Sequence, residues 1–298
     1  MTSHSLFVNA PSFPPEILSL IFDETETTSL ATVLRCNSTF YYIAYHSLYH
    51  DIYSPWTGLG RVRLLKALAN ASNPAHHPGR LPSPARAVRS IVIDFHSHFA
   101  TANLLRLINR ALKAMQNLRE LTLEFSTTSG NALNHIAWCL TGTTFCLRKL
   151  DTTIRSDNTF LAWLAHPNQD SLTALTLRGH LLPADSTTPS LPQSALPALG
   201  LLRSTYIDNE FNAMFLRGRP VQTVGLTLFP GSSLNRLDML CRTSMPVRDL
   251  RLLCTQQSAE EVVSAIAERL PSIESLYIAV VDTPSADVRP LPFFIFIF

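Results

Sequence analysis

An apolar pattern, apolar-x-x-apolar-x-apolar, recurs along the chain beyond residue 87 and limits its fold more than any other feature. It stands at Val88-Ile91-Ile93, Leu118-Leu121-Leu123, Leu172-Leu175-Leu177, Val221-Val224-Leu226, Val247-Leu250-Leu252 and Ile273-Leu276-Ile278. Weaker copies begin at Leu147, followed by Leu150 and Thr152, and at Leu199, followed by Leu202 and Ser204. Successive copies start 22 to 30 residues apart. A near-constant period means that each copy is one supersecondary unit, able to bury its apolar side only against the next.

Helical patterns fill the intervals. Ala102 to Met115 carries Leu104, Leu105, Leu107, Ile108 and Leu112, and Ala132 to Leu140 carries Leu133, Ile136, Ala137 and Leu140. Asp157 precedes Phe160, Leu161 and Leu164, and Ser233 precedes Leu234, Leu237 and Leu240, each as a predicted N-cap. Ser258-Ala259-Glu260-Glu261 ahead of Val262, Val263 and Ile266 matches a capping box. Strand alternating with helix predicts an α/β fold of parallel strands joined by crossovers, stacked as a curved solenoid. A doubly wound α/β domain is the alternative reading.

Alternation along each strand assigns one face to the core and the other to solvent. The residues between the apolar positions are therefore predicted to form a target-binding surface: Asp94, Glu120, Glu124, Lys149, Asp151, Arg178, Arg203, Asp249, Arg251 and Tyr277. That face begins acidic, turns basic at Arg178 and Arg203, and is mixed at Asp249 and Arg251. Charge of both signs in patches fits a protein partner.

The front of the chain reads differently. Residues from Phe13 to Tyr53 fit three short helices, with prolines at the first turn of helix one, where the early backbone donors have no internal partner. Ile17, Leu18, Leu20, Ile21 and Phe22 cover more of that helix than one buried stripe needs. In helix three, Phe40, Ala44 and Leu48 form one row and Tyr41, Tyr45 and Tyr49 another. The surplus apolar surface calls for a second partner, within the chain or outside it. Gly58 to Ala71 reads as a further helix, and the prolines and polar residues of 71–86 as a linker, so the expected domains are 1–70, 71–86 and 87–298.

Phe13-Pro14-Pro15-Glu16-Ile17-Leu18, Leu20-Ile21-Phe22, Val33-Leu34-Arg35-Cys36 and the helix from Phe40 to Tyr49 resemble an F-box. That module attaches a substrate receptor to the Skp adaptor of a cullin-RING ubiquitin ligase. The resemblance implies adaptor contacts at Pro14, Pro15, Ile17, Leu18, Ile21, Leu34, Cys36 and Phe40. Phe13 stands where the family usually has Leu, and Asp23 to Thr28 replace a more usual apolar end to helix one. The periodic region is similar to leucine-rich repeats, in a degenerate form. Where that family places Asn or Cys to tie successive turns, this chain has His96, Ser126, Arg155, His180, Ile207, Phe229, Thr255 and Val281. The two resemblances together imply a non-catalytic receptor subunit with an unknown target protein. A repeat scaffold working outside any ligase, and an enzyme with a cryptic α/β site, are the rival readings.

Composition narrows the partners. Net charge is +2 and charged residues make up 15% of 298, so nothing calls for nucleic acid or an anionic membrane. Five scattered cysteines read as small buried residues of an intracellular protein, cytoplasmic or nuclear, not as disulfides. Met1 to Ser12 lack the basic start and apolar run of a secretory signal. Asp94-x-His96-x-His98 is the best metal-like spacing but has no supporting ligand, so no metal and no cofactor is expected. Glycine-rich phosphate loops and Gly-x-Ser-x-Gly elbows are missing from the sequence. Phe293 to Phe298 reads as a further strand.

Overall fold

Every copy of the apolar pattern supplies a strand in the computed structural model, which describes residues 13–53, 58–70, 83–95, 101–125, 136–178, 190–204, 209–228, 234–255, 259–281 and 293–297. The strands are β1 (Asp51–Ile52), β2 (Ser90–Phe95), β3 (Glu120–Phe125), β4 (Lys149–Thr152), β5 (Ala174–Leu177), β6 (Leu201–Ser204), β7 (Thr223–Leu228), β8 (Asp249–Thr255), β9 (Ser275–Val281) and β10 (Phe293–Ile297). The helices are α1 (Pro15–Asp23), α2 (Thr27–Val33), α3 (Ser38–His50), α4 (Gly58–Asn70), α5 (Pro84–Ala87), α6 (Ala102–Ala114), α7 (Asn158–Leu164), α8 (Asn209–Leu216) and α9 (Ala259–Arg269). Single 3-10 turns, longer at Ile136–Leu140 and Leu234–Arg242, complete the second layer.

The strands lie side by side in chain order, each of β1 to β8 parallel to the next. The molecule is therefore α/β with one parallel sheet. A doubly wound sheet needs a point where strand order reverses, and this order never does. The pattern positions are also the physical register. Ile91, Leu121, Leu150, Leu175, Leu202, Val224, Leu250 and Leu276 stand opposite one another across eight strands. A slip of one residue would turn this whole apolar row to solvent. β10 pairs with β9 in the antiparallel sense. The 282–292 connection is too short for the dozen or more residues of a parallel crossover, which accounts for the reversal.

Consecutive helices touch: α4 with α6, α6 with the 3-10 helix Ile136–Leu140, that helix with α7, and α8 through the 3-10 helix Leu234–Arg242 to α9. The sequence had predicted α-helix at both 3-10 segments. A 3-10 helix rises about 2.0 Å per residue against 1.5 Å. The 9 residues of Leu234–Arg242 thus span roughly the length that α6 covers with 13. Asp157 caps α7 as predicted, its Oδ1 accepting from Phe160 N at 2.8 Å, and Asn37 caps α3 in the same way. Ser233 and Ser258, the other two predicted caps, lie outside the described residues.

The described residues form two apolar cores. The larger runs from Ile52 through Leu65 and Leu68 to Ile91, Leu123, Phe160, Leu202 and Ile278. It takes in β1 and α4, so the repeat layer begins ahead of residues 71–82, the part of the predicted linker outside the described residues. The smaller core joins Leu18, Phe22, Leu30 and Ala44, with Phe40 and Leu48 against it. Phe22 and Phe40 meet edge to face, centroids 5.6 Å apart. No loop separates the two: α3 ends at His50, β1 starts at Asp51, and Arg89 N donates to His50 O at 2.9 Å.

Polar side chains tie four of the repeats to their predecessors. Asn117 Nδ2 donates to Arg86 O at 2.8 Å, Thr152 Oγ1 to Leu123 O at 3.0 Å, Ser171 Oγ to Leu147 O at 2.8 Å and Ser272 Oγ to Val247 O at 3.0 Å. These bonds span one period each and give backbone carbonyls a side-chain donor from the following repeat. Backbone adds a second device at each strand entrance. Arg89 O accepts from both Arg119 N and Glu120 N, and Arg119, Arg148, Thr173, Gly200, Gln222 and Arg248 repeat this toward the following strand.

Leu196 breaks a local rule. It is fully buried with φ at 56°, the left-handed region that costs a side chain about 1–2 kcal/mol. Leu196→Gly should therefore destabilise by about 1 kcal/mol less than Leu196→Ala, although glycine removes more volume. Urea unfolding of the two variants checks this reversal of the usual order.

Candidate functional site

Two surfaces present side chains that the cores do not use. On α1 the helical phase divides the apolar residues. Pro14 caps the helix, its carbonyl accepting from Ile17 N and Leu18 N at 3.0 and 3.1 Å. Leu18 and Phe22 point into the small core, while Ile17, Leu20 and Ile21 face solvent, Leu20 with 63% of its surface exposed. Phe13 continues the exposed row four residues before Ile17. Of the expected adaptor contacts, Pro14, Pro15, Ile17, Ile21 and Cys36 are exposed, Leu34 and Phe40 are half-buried, and Leu18 is buried. Leu18 thus supports the surface from beneath. Phe13 and Leu20, exposed but not among the expected contacts, add to it, and Tyr42 on α3 is exposed as well. The spacing 13, 17, 20 and 21 was the signal for the first two.

The tyrosine row of α3 turns another way. Tyr45 is buried, with Tyr41 and Tyr49 at centroid distances of 5.6 and 5.3 Å. Burial raises the Tyr45 phenol well above its ordinary value, so it stays protonated at neutral pH.

The second surface is the solvent face of the sheet. On its first strands, opposite charges are matched across neighbours. Arg61 of α4 reaches Asp94 through both the backbone carbonyl and the carboxylate, the latter at 3.3 Å. Lys149 Nζ lies 3.9 Å from Glu120 Oε2. Arg178 Nε donates to Asp151 Oδ1 at 2.8 Å and its Nη2 to Glu124 Oε1. Burial opposes the Arg178 charge, but Asp151 and Glu124 outweigh it and hold the guanidinium above its ordinary value. Burial also lifts the Asp151 carboxyl, against the downward pull of Arg178.

Arg178→Met leaves those two carboxylates facing each other. The Asp151 carboxyl, already lifted by burial, loses the downward pull of Arg178 and rises further, so the penalty for ionising it is present above the carboxylate range and vanishes below it. The variant should be less stable by about 1 kcal/mol at neutral pH, a modest figure because the cluster is partly solvated. The deficit should shrink toward pH 4, as urea unfolding at the two pH values will register.

Farther along, the matching stops. Arg203 on β6, Gly225 on β7 and Arg251 on β8 share one row of the sheet, followed by Tyr277 on β9. Gly225 leaves a depression of about 210 Å³ between the arginines, with Thr227, Leu253 and Tyr277 along its sides. Asp249 lies one row away and accepts from Thr223 Oγ1 at 3.3 Å. Both Arg203 and Arg251 are exposed.

Other chemistry finds little support. Among the described residues no three His, Cys, Asp or Glu converge to hold a metal, and His96 and His98 lie outside them. Burial pushes the thiol of Cys139 up to about 12 and that of Cys254 to about 11, so neither is a thiolate at neutral pH. An open groove of about 470 Å³ beside α7 holds Trp163 and Gln169, whose Nε1 and Nε2 donate to Thr143 Oγ1 and Phe145 O at 3.0 and 3.2 Å. No helix among the described residues is long and apolar enough to cross a membrane. Compared with known proteins, the chain matches no family model and no curated sequence.

Proposed function

We propose that the chain is the substrate-recognition subunit of a Skp-cullin-F-box ubiquitin ligase, with α1–α3 docking the adaptor and a leucine-rich-repeat-like solenoid holding a target protein. The observation that carries this reading is the exposed row Phe13, Ile17, Leu20 and Ile21, set on a helix that already fills its own core with Leu18 and Phe22. Apolar side chains aligned on one helix face and left to solvent mark a docking site. Their resemblance to the F-box pattern names the occupant. The subunit does no chemistry in this scheme. It raises the concentration of target lysines near the ubiquitin-loading partner, an effective-concentration effect.

Co-expression of the full chain with a Skp-type adaptor tests the proposal. A stable complex on gel filtration is the expected result, and two separate peaks at micromolar concentration would overturn it. The sheet and its core from Ile52 onward do not draw on α1–α2, which favours a second reading: a repeat scaffold that binds its partner outside any ligase. A target complex that never includes the adaptor would select that reading.

A further inference from the structure

We propose that the β6–β9 stretch of the sheet face binds an acidic peptide segment, with Arg203 and Arg251 closing on its oxyanion groups above Gly225. This rests on the reading that the sheet face holds a target, and it names the chemistry of that target. The face is divided in its charge economy. Arg61, Lys149 and Arg178 each have a carboxylate within 4 Å, whereas the guanidinium groups of Arg203 and Arg251 have neither an ion pair nor a hydrogen bond to any described residue. The one acid close by in register, Asp249, is engaged by Thr223.

Geometry makes this pair a site. Arg203 and Arg251 are in register two strands apart, so their backbones stand roughly 9–10 Å from each other. Arginine side chains rising from that spacing can converge on one oxyanion or bracket two, and each guanidinium offers a two-donor edge to a carboxylate or phosphate. Between them a side chain is missing. A Cβ on Gly225 would meet Arg203 Cγ at 3.1 Å and narrow the depression. Glycine weakens a strand interior, and where it persists a ligand or another backbone often comes close. Thr227 Oγ1, beside this gap, is buried and finds no hydrogen-bond partner among the described residues. It can donate to an acceptor that the ligand brings. Leu253 and Tyr277 give the extended backbone of a peptide an apolar wall to lie on.

The oxyanions can come from Glu and Asp side chains or from phosphorylated Ser, and the probes separate these sources. Fluorescence anisotropy of the full chain is measured with fluorescein-labelled hexaglutamate, with a serine peptide carrying two phosphoserines, with hexalysine and with oligouridylate. Acidic probes should bind and hexalysine should not. A tighter phosphoserine complex assigns the site to phosphate, and equal affinities assign it to carboxylates. Arg203→Gln with Arg251→Gln should weaken the acidic complex by about tenfold or more, the loss expected for two charged contacts, and Gly225→Val should weaken it with both arginines intact. Arg119→Gln with Arg148→Gln, on exposed arginines outside the depression, should leave it unchanged. Equal loss in both double variants, unchanged binding by the first, or preference for oligouridylate over the acidic peptides overturns the inference. Adaptor binding, measured on the same variants, stands or falls separately.

Discussion

Arg219→Met should lower the stability of the protein by about 3 kcal/mol or more, although the residue belongs to no predicted site. Arg219 is 1% exposed, and among the described residues no carboxylate pairs with it. Its Nε donates to Ala195 O at 2.7 Å, Nη1 to Met214 O at 2.6 Å and Nη2 to Pro192 O at 2.7 Å, three carbonyls around one planar fork. Burial lowers its pKa, yet a guanidinium stays charged at neutral pH. Methionine refills much of the volume and relieves the buried charge, but it leaves Ala195 O and Met214 O without this donor, while Pro192 O keeps its bond from Ala195 N. Each unpaired buried acceptor costs about 1–3 kcal/mol, so the sum exceeds what the relieved charge returns. Lysine should rescue little, since one ammonium cannot reach three diverging carbonyls. The same segment holds the strained Leu196, and the two facts belong together: the arginine fork fixes Pro192 to Ala195 and so helps keep the backbone of Leu196 in its costly conformation. Denaturant midpoints for the methionine and lysine variants decide it, and a loss under 1 kcal/mol in Arg219→Met would show that the fork carries no such weight.

Such a clamp is hard to read from sequence because its partners are loop carbonyls 24 and 27 residues upstream, and carbonyls leave no residue signature. An arginine by itself reads as surface. The strand register was legible for the opposite reason. Ile91, Leu121 and Leu150 repeat because one physical requirement, burial against the neighbouring strand, acts on every period. Face assignment followed from alternation, but which charges would meet did not. Arg178 reaches Asp151 and Glu124 across separations of 27 and 54 residues, distances that only a known register converts into contacts. The pairing of β1 with β2 was not legible, because β1 is two residues long and carries no full copy of the pattern. On α1, excess apolar surface was visible, whereas the inward turn of Leu18 and the outward turn of Leu20 depend on how the helix leans on α3.

That phase on α1 allows docking to be separated from folding. Ile17 and Ile21 are 42% and 46% exposed and stand one helical turn apart. Replacing them as Ile17→Glu with Ile21→Lys puts an acid ahead of a base at i and i+4, the order that favours an isolated helix by a few tenths of a kcal/mol. Thermal stability should therefore hardly change. An apolar interface core, in contrast, tolerates unpaired charge poorly, and two central positions lost together cost about 3 kcal/mol or more, a fall in adaptor affinity of about 100-fold. Leu18→Ala should behave in the reverse manner. It opens a cavity in the small core beside Phe22 and Leu30 and should cost about 2–4 kcal/mol of local stability before any partner is added. Calorimetric titration of a Skp-type adaptor into the doubly charged variant, alongside its melting curve, discriminates the two effects. Wild-type affinity in that variant would mean that the exposed row on α1 is not where the adaptor sits.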